Sequence, residues 1–263
     1  MDLGISGKKA LVLASSRGLG HGIAVALARE GADVLLVGRS ADKLEANCKA
    51  INAEGLGKAA SVAADIGRPD FAAFIAAEAE KRLGQVDILV NNTGGPVPGT
   101  AEAALTAENL TTYFQSMVVS VITLSNLLVP AMKARGWGRV LTVASSGVFE
   151  PIANLALSNT LRSALVGWNK TLSSEVAGFG VTTNLLLPGR IHTDRIDELD
   201  GANATRSGRT LDEVREASIR SIPAGRLGRV DEFAATAAFL CSEPASYITG
   251  TMVRVDGGAA KSI

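Results

Sequence analysis

Between residues 13 and 20 the chain reads Leu13-Ala14-Ser15-Ser16-Arg17-Gly18-Leu19-Gly20, a turn whose residue types suit the holding of a phosphate. Where such a turn opens a helix, backbone N–H groups point at the ligand, and glycine at 18 and 20 allows an approach that side chains would block. Short glycine-rich turns also close loops with no ligand, so the segment gains weight only from its companions. Asn91-Asn92-Thr93-Gly94, Ser145, and Pro188-Gly189 with Thr193 each follow an apolar run of strand character. Such positions are strand carboxyl ends, the edge at which open α/β sheets bind ligands. About 20 residues past the glycines, where an NAD site needs a carboxylate for the ribose 2′-hydroxyl, the chain has Gly38-Arg39. A 2′-phosphate is strongly anionic, and Arg39 with Arg17 can pair with it where a carboxylate would repel it. NADP(H) is therefore expected over NAD(H), unless both arginines are solvated surface charges.

These residues need a scaffold, and the hydrophobic pattern supplies one. Lys8 to Leu13 reads as a short strand, and Ile23, Ala24, Leu27 and Ala28 give a helix that stops at Gly31. Val34-Leu35-Leu36-Val37 is apolar without alternation, as for a strand covered on both faces. The spacing then predicts a helix from about Ala41 to Glu54, a strand from Ala59 to Ala63, a helix from Pro69 to Leu83 and a strand from Val86 to Val90. Leu110, Phe114, Met117, Val121 and Leu124 lie on a long helical stretch ending near Gly136; a strand from Val140 to Val143, a helix from about Asn154 to Val176 and a strand from Thr182 to Leu187 follow. Residues Arg190 to Leu227 are the least regular, rich in charge, Gly and Ser, and read as a candidate substrate lid. An amphipathic helix with Phe233, Ala237 and Leu240 and a strand from Met252 to Val255 complete the order. The alternation predicts a Rossmann-type α/β fold, a doubly wound parallel sheet with helices on both faces, as a single domain over residues 1–263.

Composition narrows the partners. Lys+Arg and Asp+Glu number 26 each, and hydrophobic residues make up 47%, so the chain can bury a sizeable core but has no basic field for nucleic acid or an anionic membrane. No uninterrupted apolar run approaches the roughly 18 residues of a spanning helix, and Met1-Asp2-Leu3-Gly4 lacks the pattern of a signal peptide, so a cytoplasmic address is expected. Cys48 and Cys241 have no His or Cys neighbours at ligand spacing, which predicts packed thiols and no metal site.

Taken jointly, Gly18-Leu19-Gly20, Asp65, Asn91-Asn92-Thr93-Gly94, Gly138-Arg139-Val140 leading to Ser145, Asn184, Pro188-Gly189, Thr193 and Val255-Asp256-Gly257-Gly258 make the chain resemble the short-chain dehydrogenase/reductase family over essentially its whole length. The likeness is to its 3-oxoacyl-acyl-carrier-protein reductase-like members. The resemblance implies an oxidoreductase with a nicotinamide cofactor and a small carbonyl or alcohol substrate. It implies that Ser16 to Gly20 and Arg39 take the phosphates and that Asp65 with Ile66 meets the adenine. It also implies that Asn92 and Gly94 line the adenosine, and that Pro188, Gly189, Ile191 and Thr193 hold the carboxamide. Ala14 stands where the family has its first glycine; if that turn needs a positive φ, the added Cβ costs on the order of 1 kcal/mol.

The catalytic pattern of the family is Ser, then Tyr thirteen residues on, then Lys four further, with an upstream Asn. Ser145 matches the first, but Ser158, Arg162 and Met117 stand at the other three positions. A serine hydroxyl cannot be tuned toward neutrality as a phenol can, and arginine is effectively always protonated, so it neither relays nor titrates. Arg162 still shares a helix face with Ser158 and is expected to donate to the nicotinamide ribose or to an anionic substrate, or else to be a surface charge. Tyr113 and Tyr247 are the two tyrosines, and neither is at the family position. His192, between Ile191 and Thr193, has a pKa suited to acid catalysis and is the remaining candidate donor. His21, which follows Gly20, is expected to be exposed or to make a minor contribution to the phosphate field. Arg190 and Arg195 are the lid arginines nearest the expected pocket. Two readings result: an NADP(H)-dependent oxidoreductase with altered acid–base residues, or an NADP(H)-binding protein that does not turn over and serves as sensor or partner subunit. A homodimer or homotetramer is implied by the resemblance, and Leu161, Leu165, Trp168 and Leu172 would suit either a pairing face or a core stripe.

Overall fold

Strands apolar on both sides need cover on two faces, and the helices between them provide it. The computed structural model describes residues 2–262 and contains β1 (Lys9–Val12), β2 (Asp33–Gly38), β3 (Ala59–Ala63), β4 (Ile88–Asn91), β5 (Gly138–Val143), β6 (Val181–Pro188) and β7 (Met252–Val255). They form one parallel sheet in the order β3-β2-β1-β4-β5-β6-β7. The strand order reverses between β1 and β4, so a crevice opens at their carboxyl ends. Val12 lies beside both Leu36 and Val90, which sets the loops after β1, β2 and β4 at one level.

The helices are α1 (Gly18–Arg29), α2 (Ala41–Glu54), α3 (Phe71–Leu83), the single turn α4 (Ala101–Ala104), α5 (Ala107–Phe114), α6 (Ser120–Arg135), α7 (Ala156–Val176), α8 (Asp194–Ser207), α9 (Leu211–Arg220) and α10 (Val230–Leu240). α1, α2 and α10 cover one face, where Ile23, Leu27, Leu44 and Phe233 pack with Val12, Val34 and Leu36. α3, α6 and α7 cover the other, with Phe71, Ile75, Leu124 and Leu172 against Leu11, Leu35 and Leu89. Burial contributes about 1.5–3 kcal/mol for each such side chain, so the sheet edge is a rigid platform for the loops it carries.

Two expectations change. The stretch 190–227 is mostly helical rather than irregular, because α8 and α9 are built from polar caps and ion pairs instead of an apolar stripe. Thr210 Oγ1 accepts the Glu213 N–H at 3.2 Å while Glu213 accepts the Thr210 N–H at 2.8 Å, and Arg215 on α9 pairs with Asp197 on α8 at 2.6 Å. Only Asp200 and Val214 are buried in those two helices, so hydrophobic periodicity had little to report. The second change concerns α5, a π-helical turn over Gln115–Val119, and α6. Together they make one 29-residue run that is apolar and long enough to cross a membrane. Met117, Val118, Val121, Leu124 and Met132 on it are buried against the rest of the chain, as in a core helix.

Candidate functional site

The loop after β1 is shaped by a backbone constraint. Ala14 has φ 46°, a left-handed conformation that favours glycine, so the Cβ that departs from the family pattern does sit at a strained position. Ser15 Oγ donates to Val12 O at 2.8 Å and accepts the Val37 N–H at 3.0 Å, which ties the turn to β2. Asn92 Nδ2 donates to Ala14 O at 3.3 Å, and Asn47 Nδ2 donates to Ser16 O at 3.1 Å. A Cβ at Gly20 would lie 2.4 Å from Ala14 O and 2.7 Å from Asn92 Nδ2, so only glycine fits there. The result is a bare turn at the N-terminus of α1, open to a crevice of about 1690 Å³. That volume exceeds the roughly 300–1,000 Å³ of ordinary ligand pockets and has room for a dinucleotide beside a small substrate.

At the outer end Arg39 and Lys43 line the crevice and both are exposed. Lys43 was missed in the sequence although it lies four residues after Arg39 on the first turn of α2, a spacing that places two cations together. Arg17 departs from the expected role. Its guanidinium turns across the crevice to α8, pairing with Asp194 at 3.0 Å and Glu198 at 3.3 Å, because these two carboxylates lie four residues apart on one face of that helix. Asp65 and Ile66 line the same end; Asp65 Oδ1 accepts the Gly67 N–H at 2.9 Å, and Ile66 O accepts from Ser120 Oγ at 2.7 Å. Asn91 is fully buried and donates to Ser125 Oγ and Thr142 Oγ1 beneath the sheet edge, while Asn92, Thr93 and Gly94 line the crevice.

On the opposite wall are Pro188, Gly189, Ile191 and Thr193. Gly189 packs so closely on Asp256 that a Cβ would lie 2.6 Å from its Cα, and Thr193 Oγ1 donates to Ile191 O at 3.3 Å. His192 breaks the sequence. Its side chain is 69% exposed with Nε2 4.0 Å from Asp197 Oδ2, and unlike its two neighbours it does not line the crevice. In an extended segment alternate side chains face opposite ways, so Ile191 and Thr193 turning in sends His192 out. The expected proton donor is therefore on the wrong side of the backbone. His21, expected exposed, is half-buried with Nδ1 lacking a partner among the described residues, and burial holds its imidazole pKa below the ordinary value.

The inner end holds Ser145, Ser158 and Arg162. Ser145 Oγ accepts the Gly147 N–H at 3.1 Å, and Ser158 is 8% exposed. Arg162 is not a surface charge: it is 7% exposed, donates from Nη1 to Val143 O at 2.8 Å and reaches Thr93 Oγ1 at 3.5 Å from Nη2. Burial first, and the field of Arg195 second, bring its pKa down to about 10, so it remains a cation at neutral pH. Met117 and Tyr113 line this end from the π turn and α5, with Tyr113 half-buried. π turns recur at functional sites because they re-aim side chains within a helix. Arg190 and Arg195 differ: Arg190 pairs with buried Asp200, whereas Arg195 lines the crevice and donates to Pro96 O at 2.7 Å. Cys241 and Cys48 are buried thiols, the former pushed up to about 12 by burial.

Comparison with known proteins agrees with this geometry. A family described as enoyl-(acyl carrier protein) reductase matches residues 13–260. The NADPH-dependent reductase BacG of Bacillus subtilis (strain 168) is 32% identical over 98% of this chain and 100% of its own length. The 3-oxoacyl-[acyl-carrier-protein] reductase FabG of Escherichia coli (strain K12) is 33% identical over 97% of this chain and 98% of its own. Among solved structures, L-sorbose reductase from Gluconobacter frateurii complexed with NADPH and L-sorbose superposes with a TM-score of 0.93 at 31% identity, covering 100% of both chains. Sheet order, crevice and whole-length similarity thus agree, and the chain belongs to the short-chain dehydrogenase/reductase family of oxidoreductases.

Proposed function

We propose that the chain is an NADP(H)-dependent oxidoreductase that interconverts a small carbonyl compound and its alcohol without the tyrosine–lysine pair. The observation that carries this reading is the crevice joining a glycine-only phosphate turn and two exposed cations, Arg39 and Lys43, to a buried Arg162 beside Ser145 and Ser158. The names of the relatives and structural neighbours, NADPH-dependent reductases among them, support the same cofactor.

The residues fit the cofactor: a Cβ would fill the cradle at Gly20, and the exposed cations suit a 2′-phosphate rather than a 2′-hydroxyl. The turn Ser16 to Gly20 takes the pyrophosphate and Arg39 with Lys43 the 2′-phosphate. Asp65, Ile66, Asn92 and Gly94 line the adenosine, and Pro188, Gly189, Ile191 and Thr193 hold the nicotinamide end. Bound NADPH supplies a hydride. Arg162 meets the negative charge that grows on the carbonyl oxygen, because a guanidinium held out of water acts on a nearby oxyanion far more strongly than one in solvent. Ser145 and Ser158 pass a proton from water to that oxygen. Helices α8 and α9 serve as the lid over the substrate; Asp194, Arg195 and Leu199 of α8 already line the crevice. The chain works in the cytoplasm, where its buried free thiols remain reduced, and forms a homodimer or homotetramer. Leu161, Leu165 and Leu172 belong to the core, so exposed Phe114, Val119 and Leu127 on the run Ala107–Arg135 and half-buried Trp168 of α7 are available for pairing.

Calorimetric titration with NADPH and NADH, followed by a panel of ketones, aldehydes and alcohols monitored through reduced-nicotinamide absorbance, tests the proposal. Tighter binding of NADPH with turnover of at least one carbonyl is expected. Tight binding with no turnover of any compound would favour the non-catalytic sensor or partner subunit, and no binding of either cofactor would overturn both readings.

A further inference from the structure

The inner end of the crevice has a charge with no answer inside the protein. Arg162 is more than nine-tenths buried, and among the described residues no carboxylate comes within ion-pairing range of it. Its guanidinium carries five N–H donors, of which one is taken by Val143 O at 2.8 Å and a second reaches Thr93 Oγ1 at 3.5 Å. Buried charges are ordinarily paired, because an unpaired one forfeits its hydration without return.

A second guanidinium faces the same space. Arg195 Nη2 donates to Pro96 O at 2.7 Å and Nη1 to Glu198 Oε2 at 3.3 Å, and both arginines line the crevice. The loop after β4 is shaped to admit it. A Cβ at Gly95 would lie 2.9 Å from Arg195 Nε, 3.0 Å from Nη2 and 3.2 Å from Cζ, so the guanidinium lies across a bare stretch of backbone. The two cations are near enough that the field of Arg195 bears on the pKa of Arg162. At the mouth, Arg17 and Arg195 are balanced by Asp194 and Glu198, through Arg17 contacts at 3.0 and 3.3 Å and the Arg195 contact at 3.3 Å. With Arg39 and Lys43 set apart at the outer end, what is left over between the mouth and the inner end is the positive charge of Arg162.

We propose that this surplus is the receptor for a carboxylate on the substrate, so that the carbonyl compound reduced in this crevice is a small oxo acid held between Arg162 and Arg195. Planar guanidinium groups donate two parallel N–H···O bonds to a carboxylate, and of the five donors of Arg162 three remain beyond Val143 O and Thr93 Oγ1, two for that geometry and one for the carbonyl oxygen. The pyrophosphate turn lies at the N-terminus of α1 and the 2′-phosphate cations on the far side of it, so the cofactor's phosphates have receptors of their own. The substrate class rests on the oxidoreductase reading above; the carboxylate site itself rests only on Arg162 and Arg195.

Binding to the full chain, with and without saturating NADP+, tests the two separately, since the oxidised cofactor cannot reduce a ketone. Levulinate, acetoacetate and benzoylformate are each compared with their methyl esters by calorimetry. At least one acid is expected to bind about tenfold or more tightly than its ester, by the arithmetic of one charge-assisted pair. Arg162→Met is expected to erase that preference while leaving the fold intact, because it replaces an unpaired buried charge with an apolar side chain of similar length. Arg195→Met, at a half-buried site, is expected to weaken it in the same direction should the first variant fold poorly. Equal binding of every acid and its ester, or a preference that survives in both variants, overturns the carboxylate site. If NADP+ gives no heat while the acid preference persists and depends on both arginines, the site stands and the oxidoreductase reading falls.

Discussion

The two ends of the crevice keep positive charge in opposite ways. Arg39 and Lys43 at the outer end are exposed, where water and salt screen them and holding them costs little. Arg162 at the inner end is 7% exposed with no acidic partner among the described residues, and desolvation first and the field of Arg195 second bring its pKa down to about 10. By the resemblance read in the sequence, the outer end would follow the short-chain dehydrogenase/reductase pattern closely, while the inner end would keep one of four catalytic residues, Ser145. An exposed cation can be exchanged for another and still bind a phosphate. A buried one must be matched to what it faces, so the change at 158 and 162 alters the chemistry and not merely the surface. With serine in place of the phenol and arginine in place of lysine, the inner end would keep a positive charge and lack a titratable donor.

The largest effect should come from undoing that change. In Ser158→Tyr with Arg162→Lys, a phenol stands beside an ammonium, and general acid catalysis typically contributes about 10²–10⁴-fold. Turnover of simple neutral ketones is expected to rise by roughly a hundredfold in steady-state assays. No gain would mean that the inner end differs from the family in shape as well as in its proton donor. At the outer end the expected change is smaller and concerns selectivity. Arg39→Asp places a carboxylate where the 2′-phosphate would sit. Losing a charge-assisted contact of about 1.5–3 kcal/mol should weaken NADPH about 10- to 100-fold while NADH binding improves. Lys43 remains in place, so the lower part of that range is expected; identical titration curves for both variants and both cofactors would break the proposed assignment of this end.

How much was legible in the sequence follows the same division. The strands and helices of the sheet were legible because each buries apolar side chains at a regular period, and even the cost at Ala14 was legible from one departure from a glycine pattern. Arg17 was not, since a turn residue reads as a phosphate ligand until α8 is known to bring Asp194 and Glu198 across the crevice. His192 was placed correctly along the chain and wrongly around it: an extended segment gives every second side chain to solvent, and the phase of that alternation is set by packing at Ile191. Helices α8 and α9 escaped because their stability lies in caps and ion pairs, which leave no apolar stripe. Burial of Arg162 escaped for a related reason, since arginine on a helix is ordinarily a surface charge.

The smallest effect tests whether the outer end is as relaxed as its exposed cations suggest. Ala14 holds φ 46° in the turn proposed to take the pyrophosphate, and a left-handed L-residue costs about 1–2 kcal/mol. Ala14→Gly removes that strain but loosens the unfolded chain by about 0.5–1 kcal/mol, so the net gain is on the order of 0.5–1 kcal/mol. For a chain of this size that corresponds to a rise of about 1–3 °C in Tm by calorimetry. Asn92 Nδ2 and Gly20 both pack on Ala14 O, so a relaxed turn should also hold its N–H groups better aligned and tighten NADPH by no more than a few-fold. A Tm that falls would mean that Ala14 contributes more through its buried neighbours than it costs through its backbone. The strain would then be part of how this turn is held, and the contrast between a relaxed outer end and a constrained inner one would fail.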